Sequence, residues 1–370
     1  MIKSVSLQNF KCFAERNNIR LAPITILYGH NGRGKSSLSQ ALLLIGQSMR
    51  DRNDIDLLSI VGQQVQLDAF NDIKTRGSES DEVKFWFETE KENVEIGFST
   101  YDGKPQLGRL TTLVFNDENR FDVQSTQSST VSEEQQKVAF STSDITVLQQ
   151  LKNITYISAD RLGPRNDVIR NDSLPSNKIG TKGENMLNAL SHQSLDFINF
   201  VGKCLSYILG GGAISIPDKN ATRIELLLNS RDGEQLFHPV NVGFGYSYVL
   251  PIIVGALLAE NGSVLIVENP EAHLHPSAQS RIMEFLIKQS IEKNLQIIVE
   301  THSDHVVNGL RISMKNKVLK PADGIIQHFA YSDDSLSPII STITSDAYGN
   351  LSDYPYDFMD EWTAQMMQLV

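Results

Sequence analysis

The chain has 370 residues, of which 40% are apolar, and a formal net charge of −11. A chain of this length can bury a large core in one or two domains. Because it is acidic, it is not expected to coat nucleic acid non-specifically, so any DNA contact would need a local basic face or a partner. Its two cysteines, Cys12 and Cys204, have neither metal-site nor disulfide-framework spacing, which fits a reducing compartment.

The sequence gives no indication of a membrane protein. Its N-terminal residues lack the continuous apolar segment of a signal peptide. The longest apolar run, at residues 249–259, contains Pro251 and is too short to cross a bilayer. We therefore expect a cytoplasmic protein without a membrane partner.

The chain is predicted to begin with strands. Residues 2–10 alternate only weakly but contain β-branched side chains, and residues 18–27 continue with strand character around Pro23. The run that ends at Tyr28 is short, apolar and β-branched, which is typical of a buried strand. Residues 37–49 then predict a helix with its apolar side chains on one face.

The stretch GHNGRGKS at residues 29–36 joins this strand to this helix and fits the phosphate-loop pattern G-x-x-x-x-G-K-[ST]. Glycines allow backbone N–H groups to point at phosphate oxygens, and the N-terminus of a helix favours an anion. Lys35 would reach the β- and γ-phosphates, and the Ser36 hydroxyl would bind Mg²⁺. We predict a nucleoside triphosphate site formed by Asn31, Gly32, Arg33, Gly34, Lys35, Ser36 and Ser37.

The middle of the chain is predicted to contain further strands and a loop. Residues 83–87 and 94–98 alternate between apolar and polar side chains and predict an antiparallel hairpin. Residues 124–137 are polar and lack aromatic side chains, so we expect an exposed, mobile loop. Other strands are expected at residues 109–115, 154–159 and 221–228, and a helical region at residues 184–209.

From residue 240 onward, strands and helices alternate, which is typical of a parallel α/β sheet. The apolar strand at residues 264–267 ends on Glu268, a carboxylate that can bind Mg²⁺. A second apolar strand at residues 296–299 runs into His302. Each feature alone is weak evidence. Together, in the order phosphate loop, strand with an acid and strand with a histidine, they indicate an ATP site.

These motifs resemble those of the ABC-type ATPase heads of the SMC, RecF, RecN and OLD families. The resemblance covers residues 1–50 and 240–310, and the string ENPEAHLHP at residues 268–276 points to the OLD and RecF-related bacterial branch. It implies an α/β P-loop NTPase of the ABC-ATPase type, with a mixed sheet, N-terminal antiparallel strands and a helical subdomain inserted between the phosphate loop and the signature motif. The domains would be an ATPase core (1–50 and 240–330), an inserted β-hairpin and helical subdomain (51–239) and a C-terminal tail (331–370).

The resemblance also implies roles for single residues. Glu268 would be the Walker B acid that holds Mg²⁺ with Ser36, and His302 would be the switch histidine that senses the γ-phosphate. Lys35 would act on the same phosphate. In the family, the signature motif covers ATP bound to the other subunit. This role would fall here to Gly243, Gly245 and Ser247, so ATP would join a homodimer or a higher homo-oligomer.

Two departures from the family pattern leave alternatives open. The signature sequence Leu-Ser-Gly-Gly-Gln is replaced by a glycine-rich remnant at residues 242–247. Asn269 stands where the catalytic glutamate usually follows the Walker B acid, and an amide cannot accept a proton from water. Either Glu271 is the general base, or hydrolysis is slow and ATP serves as a clamp between subunits.

Basic residues form two groups whose roles stay open. Arg161 and Arg165 follow a predicted strand in a Gly-Pro turn, where they could meet phosphate, a partner's carboxylate or only solvent. A second group could face DNA or be a solvated helix surface. It consists of Arg311, Lys315, Lys317 and Lys320.

We expect an ATPase that acts as sensor or motor for a separately encoded effector such as a nuclease, in anti-phage defence or DNA repair. This setting is an analogy with relatives. OLD proteins carry a C-terminal nuclease domain, whereas only residues 303–370 follow His302 here, and their aspartates are expected to be solvated. The alternatives are a nucleotide-gated scaffold with little turnover and an ABC transporter subunit, which would need a strong signature motif.

Overall fold

The computed structural model describes residues 1–50, 55–116, 119–122, 145–217, 221–230, 235–330, 337–355 and 357–369. The mobile loop predicted at residues 124–137 lies outside the described residues. The strands are β1 (Ser4–Gln8), β2 (Asn17–Arg20), β3 (Ile24–Gly29), β4 (Leu57–Ser59), β5 (Val83–Glu88), β6 (Asn93–Thr100), β7 (Leu107–Phe115), β8 (Asn119–Asp122), β9 (Thr155–Ile157), β10 (Asp167–Ile169), β11 (Ala213–Ser215), β12 (Arg223–Glu225), β13 (Leu227–Asn229), β14 (Val264–Glu268), β15 (Gln296–Thr301), β16 (Gly324–Ala330) and β17 (Ile339–Thr344).

The helices alternate with these strands most regularly after residue 243. They are α1 (Lys35–Ser48), α2 (Phe70–Ile73), α3 (Thr146–Lys152), α4 (Met186–Ser191), α5 (Leu195–Leu209), α6 (Phe244–Leu258), α7 (Pro276–Lys293), α8 (Asp304–Lys315) and α9 (Glu361–Leu369), with 3₁₀ turns at Pro239–Asn241 and Pro321–Asp323. None of the helices in the described part of the chain is both long and apolar enough to span a membrane.

Two sheets organise the fold. The first is antiparallel, with the strand order β2-β1-β5-β6-β7-β4 and with β8 paired to β7. It contains the predicted hairpin, in which Val83 of β5 pairs with Phe98 of β6. The second is mixed, with the order β17-β16-β3-β15-β14-β9, in which all neighbours are parallel except the edge strand β17. The mixed sheet with N-terminal antiparallel strands confirms the predicted fold class.

The central strands β3, β14 and β15 of the mixed sheet are buried on both faces, which explains why they are nearly continuous apolar runs. In β14, Leu265 and Val267 pack into a core shared with α6, α7 and α8. Val264 and Ile266 point the other way, into a second core that contains α1 and the antiparallel sheet. Helix α1 therefore lies between the two sheets, with the phosphate loop at its N-terminus.

Two predicted elements are each divided in the structure. Residues 18–27 form β2 and β3, which belong to different sheets, and the chain crosses between the sheets at Pro23. Residues 184–209 form α4 and α5. Ser194 separates them by accepting a hydrogen bond from the Phe197 N–H at the start of α5.

The described residues between positions 51 and 239 contribute strands to both sheets. Within this interval, β5 pairs with β1 of the antiparallel sheet and β9 pairs with β14 of the mixed sheet. The C-terminal region also joins the core, because β17 pairs with β16 and Phe358 is buried with its ring centroid 4.9 Å from that of Tyr28. The division into domains at residues 50, 239 and 330 stays a prediction.

Candidate functional site

The phosphate loop is set by close backbone packing. At the end of β3, Gly29 has a φ of 136°, and a Cβ built there would lie 2.4 Å from the carbonyl oxygen of Phe329 in β16. At the start of α1, Gly34 has a φ of 101°, and its Cβ would lie 2.9 Å from the Sγ of Cys12. Only glycine fits both positions, so the loop conformation follows directly from the motif.

The N-terminus of α1 is free to receive an anion. Within described residues 1–50, its first turn carries no acidic side chain, and Gly34 provides no capping side chain. Lys35 is only 3% exposed. Its ammonium donates to the carbonyl oxygens of Gly29 and His30, at 2.7 and 2.8 Å. Burial lowers the pKa of Lys35, and the nearby carboxylates of Glu300 and Glu271 oppose this shift. A desolvated cation at a helix N-terminus suits phosphate.

Ser36 contacts an acid for which the sequence predicted no role. Its hydroxyl donates to Oε1 of Glu300 at 2.7 Å. Glu300 is buried at the end of β15, and its Oε2 is buried without a hydrogen-bond partner among the described residues. Burial, together with the carboxylates of Glu268 and Glu271, raises the pKa of Glu300 from 4.5 to about 7. An orphaned buried carboxylate oxygen beside a serine hydroxyl is a suitable ligand set for a hard divalent cation.

Glu300 should therefore make the stability of the free protein depend on pH. Between about pH 4.5 and 7, the folded state keeps a proton that the unfolded chain releases, so the raised pKa costs stability as pH rises through this window. Glu300→Gln removes that cost. Without nucleotide and Mg²⁺, we compare the free energy of unfolding of the variant with that of wild type. We expect this difference to be more favourable to the variant at pH 8 than at pH 5, by on the order of 3 kcal/mol. Urea unfolding at both pH values measures this difference.

The matched control for this prediction is Glu260→Gln, because Glu260 is an exposed carboxyl on the connection after α6. The free energy of unfolding of Glu260→Gln should differ from that of wild type by the same amount at both pH values. An equal difference for Glu300→Gln at pH 5 and pH 8 would contradict the assignment of Glu300 as a buried, protonated carboxyl.

The predicted Walker B acid, Glu268, lies one strand further from the phosphate loop than Glu300 does. Glu268 ends β14 and pairs in register with Glu300 of β15. Its Oε2 accepts the N–H of Ala159 at 3.2 Å, and the Tyr156 hydroxyl also hydrogen-bonds to it. Burial and the Glu268 charge raise the pKa of Tyr156. Glu268 is thus held towards β9, while Glu300 contacts the serine that was predicted to share a metal with Glu268.

Glu271 and His302 meet at the end of β15. One oxygen of the Glu271 carboxylate accepts the Thr301 hydroxyl at 2.7 Å, and the other accepts the His302 N–H at 3.0 Å. The turn that brings Glu271 there contains Asn269 with a left-handed φ of 44°. The side chain of His302 is exposed, and partial desolvation and the Lys35 charge lower its pKa.

The predicted signature residues occupy the start of α6. Gly243 is the exposed N-terminal cap of the helix, and no capping side chain covers its N-terminus within described residues 235–330. Gly245 packs on the loop after Glu271, since a Cβ there would lie 3.0 Å from the His273 carbonyl oxygen. The side chain of Ser247 is buried, whereas that of Phe244 is exposed.

Three residues of the site have no assigned role in the sequence analysis. For Glu300 the sequence shows only that the stretches VLIVE and QIIVE both end on glutamate, which does not say which of the two acids lies beside Ser36. Lys11 lines the phosphate-loop cavity and hydrogen-bonds to Gln40. Arg161, for which the sequence left phosphate, a partner's carboxylate and solvent open, is buried and binds backbone carbonyls.

The cavity above the loop has a volume of about 260 Å³. Its walls combine the N-terminus of α1, a buried ammonium, a serine hydroxyl and a carboxylate with an unpartnered oxygen, and these groups fit a triphosphate with Mg²⁺. The cavity is lined by Lys11, Cys12, Asn31, Gly32, Arg33, Gly34, Lys35, Ser36, Ser37, Gln40 and Glu300.

Comparison with known proteins agrees with this geometry. Residues 24–308 match the family described as "AAA domain, putative AbiEii toxin, Type IV TA system". The match covers more than half of the chain and extends from β3 through the first turns of α8. The chain belongs to this AAA domain family. None of the curated proteins that were compared with it gives a match.

Solved structures similar to this AAA domain protein include SMC head domains. One is described as the SmcHead bound to the C-winged helix domain of ScpA, with a TM-score of 0.60, 16% identity, and coverage of 93% of this chain and 97% of that chain. Another is an Smc head domain with an extended coiled coil, bound to the C-terminal domain of ScpA derived from Pyrococcus furiosus. It has a TM-score of 0.55, 12% identity, and coverage of 100% and 99%. The AAA domain protein therefore has the fold of an SMC head.

The other polar groups of this AAA domain protein show less organisation. Arg311 donates to the carbonyl oxygen of Gly349 and to Asn308, so it is part of the fold, whereas Lys315, Lys317 and Lys320 are exposed. In the described part of the chain, no group of three or more His, Cys, Asp or Glu side chains could hold a metal ion by itself.

Proposed function

We propose that this AAA domain protein binds ATP with Mg²⁺ and hydrolyses it. The observation that carries the proposal is the convergence of Lys35, Ser36, Glu300 and Glu271 at one edge of the mixed sheet. The Lys35 ammonium and the Ser36 hydroxyl lie at the start of α1, and both carboxylates lie at the end of β15. Phosphoryl transfer needs little covalent chemistry from the protein, so positioned charges of this kind supply most of the catalysis.

Each residue has a distinct part in this proposal. Lys35 and N–H groups of residues 31–37 would hold the phosphates, and Ser36 would hold Mg²⁺. Glu268 and Glu300 are the acids beside the metal position, with Glu300 the one that contacts Ser36. Bound Mg²⁺ would neutralise charge on the phosphate oxygens.

Glu271 is the residue that we assign as general base. Its carboxylate accepts hydrogen bonds from the Thr301 hydroxyl and the His302 N–H, and these two bonds hold the side chain in one orientation. Asn269 donates to the same carboxylate at 3.4 Å and cannot take the base role. His302 would sense the γ-phosphate, since its ring lies near Lys35 and the backbone of Gly29.

We propose that ATP joins two copies of the chain, or more, through the start of α6. The exposed cap at Gly243 offers backbone N–H groups to a phosphate of the other copy. Phe244 beside it is 57% exposed, as an interface residue would be before assembly. Gly245 and the buried Ser247 would support this helix end and not contact nucleotide through side chains.

The wider role that we propose is that of a sensor or motor for a separately encoded effector, such as a nuclease. Residues 324–330 and 339–344 form β16 and β17 of the ATPase core, and the described part of the chain offers no three-residue metal cluster. The two SMC heads named above are bound to ScpA, which supports a protein partner. Placement in the OLD and RecF-related branch, a cytoplasmic location, direct DNA contact and a role in defence or repair belong to this proposal.

A nucleotide-gated scaffold is the second candidate. Asn269 at the position after the Walker B acid favours it, because slow hydrolysis would leave ATP as a clamp between copies. A transporter subunit is less well supported, since the N-terminus of α6 carries only the glycine-rich remnant of a signature.

The test is ATP turnover measured across Mg²⁺ concentrations, with the mass of the assembly recorded by light scattering in the same samples. We expect Mg²⁺-dependent turnover and an ATP-dependent increase in mass. Glu300→Gln should raise the Mg²⁺ concentration for half-maximal turnover by about tenfold or more, as loss of a group around a metal commonly does. Glu260→Gln should behave as wild type. Assembly without measurable turnover would favour the scaffold. If neither turnover nor ATP-dependent assembly is observed, the proposed function is excluded.

A further inference from the structure

Arg161 is one of the few charged side chains buried in the described part of the chain. It follows β9 and is 3% exposed, although arginine is rarely buried completely. One terminal nitrogen donates to the carbonyl oxygens of Ser158 and Glu268, at 2.9 and 2.7 Å. The other donates to the carbonyl oxygen of Asn269 at 2.6 Å. The planar guanidinium thus binds two consecutive carbonyls at the end of β14.

These carbonyls begin the turn that carries Glu271. Asn269 has a left-handed φ of 44°, which costs roughly 1 kcal/mol for a residue with a side chain. Its N–H donates to the carbonyl oxygen of Glu300 at 2.8 Å. The left-handed residue is therefore held by β15 on one side and by Arg161 on the other. Its conformation directs the chain so that Glu271 reaches Thr301 and His302.

The same guanidinium contacts the helix that begins at the proposed signature. Its central carbon lies 5.7 Å from the ring centroid of Tyr248 in α6. Tyr248 in turn packs on His273, with ring centroids 4.3 Å apart, in the loop that follows Glu271. Arg161 therefore contacts both the start of the Glu271 turn and the helix that packs on its end.

Charge also links Arg161 to this turn. Burial lowers the pKa of Arg161 to about 10, and the Glu271 and Glu268 carboxylates act against that shift. The guanidinium therefore stays charged at neutral pH. A buried cation between two acids stabilises the turn only while the hydrogen-bond geometry is kept, which lysine cannot reproduce because it lacks the planar fork.

We propose that Arg161 is a positioning residue for the general base: by binding the carbonyls of Glu268 and Asn269, it fixes the turn that presents Glu271 to the phosphate site. The inference rests on the proposed function, because it assumes that Glu271 acts in turnover. The structural part of it can be tested without turnover.

The test is hydrogen exchange of the full chain without nucleotide, comparing wild type with Arg161→Gln, Arg161→Lys and Arg165→Gln. Arg165 is an exposed arginine of the same segment and is the matched control. The amides that report on the turn are those of Ala272 and Leu274, which donate within it, and that of His302, which donates to Glu271. We expect about tenfold faster exchange of these amides in Arg161→Gln, a smaller increase in Arg161→Lys and no change in the control.

Unchanged exchange at these amides in either Arg161 variant would overturn the proposal. So would equally faster exchange throughout β3 and α1, because Arg161 would then be a general core residue. If Arg161→Gln does not fold, Arg161→Lys decides by the same criteria, since it keeps the charge and most of the volume.

Turnover gives the second measurement. Arg161→Lys should lower kcat about tenfold and leave the KM for ATP unchanged, because the phosphate contacts are intact. Combined with Glu271→Gln, it should cause no further loss, since both changes act on the same step. Additive losses would show that Arg161 acts elsewhere. Absence of turnover in wild type would refute the proposed function, and the exchange result would still decide the positioning role.

Discussion

Replacing Lys35 by alanine is expected to lower the affinity for ATP by about 100-fold. The ammonium is buried and donates only to loop carbonyls, at 2.7 and 2.8 Å, so its charge is already desolvated where phosphate would bind. Hydrogen bonds to charged groups contribute about 1.5–3 kcal/mol each, and loss of one or two corresponds to this change in the dissociation constant. Isothermal titration with ATP or a fluorescent analogue measures it directly.

The control for this prediction is Lys315→Ala, which removes an exposed lysine near the end of α8. Its affinity should equal that of wild type. Thermal unfolding of both variants separates lost binding from lost folding. If folded Lys35→Ala bound ATP as tightly as wild type, the triphosphate would have to lie away from the phosphate loop, and the site proposed here would be wrong.

The phosphate loop could be predicted from the sequence because its determinants are local. Gly29 and Gly34 take conformations that the motif itself requires, and α1 follows with its N-terminus at the loop. The alternation of β5 and β6 was equally informative, since one turn joins the two strands. In both cases the sequence signal lies in one short stretch of the chain, although the backbone that packs on Gly29 comes from Phe329 of β16.

Glu300 could not be assigned a role from the sequence because its role depends on strand order. The sequence places β14 and β15 next to each other in the chain, but only the order β3-β15-β14 shows that β15 lies beside the phosphate-loop strand. The acid at the end of β15 therefore contacts Ser36, while Glu268 lies one strand further away. Long-range pairing of this kind leaves no periodic signal in the chain.

The environment of Arg161 could not be predicted from the sequence for a related reason. An arginine in a Gly-Pro turn is usually solvated, and its burial depends on carbonyls contributed by residues more than a hundred positions later. The same holds for residues 18–27, whose strand character was recognised although the change of sheet at Pro23 was not. The local sequence predicts the conformation of a segment, whereas the strands and carbonyl groups that it contacts are decided by the rest of the fold.

Replacing Glu271 by glutamine is expected to reduce ATP turnover by about 10² to 10⁴-fold, the usual contribution of a general base. Glutamine keeps the volume, and its carbonyl oxygen can still accept the His302 N–H, while its amide NH2 can donate to the Thr301 hydroxyl that donates to the carboxylate in wild type. The turn should therefore keep its conformation, and ATP should still bind. Because hydrolysis no longer releases the assembly, the ATP-dependent increase in mass should persist for longer than in wild type.

The control variant for this result is Glu268→Gln. Glu268 lies two strands away from β3, and the Ala159 N–H holds its carboxylate towards β9. If Glu271 is the base, its substitution lowers kcat and leaves the Mg²⁺ requirement unchanged, whereas Glu268→Gln raises that requirement. Slow turnover in wild type that is indifferent to Glu271→Gln would instead point to ATP as a clamp. The carboxylate would then serve to hold His302 in place, and the activity of the assembly would lie in its partner.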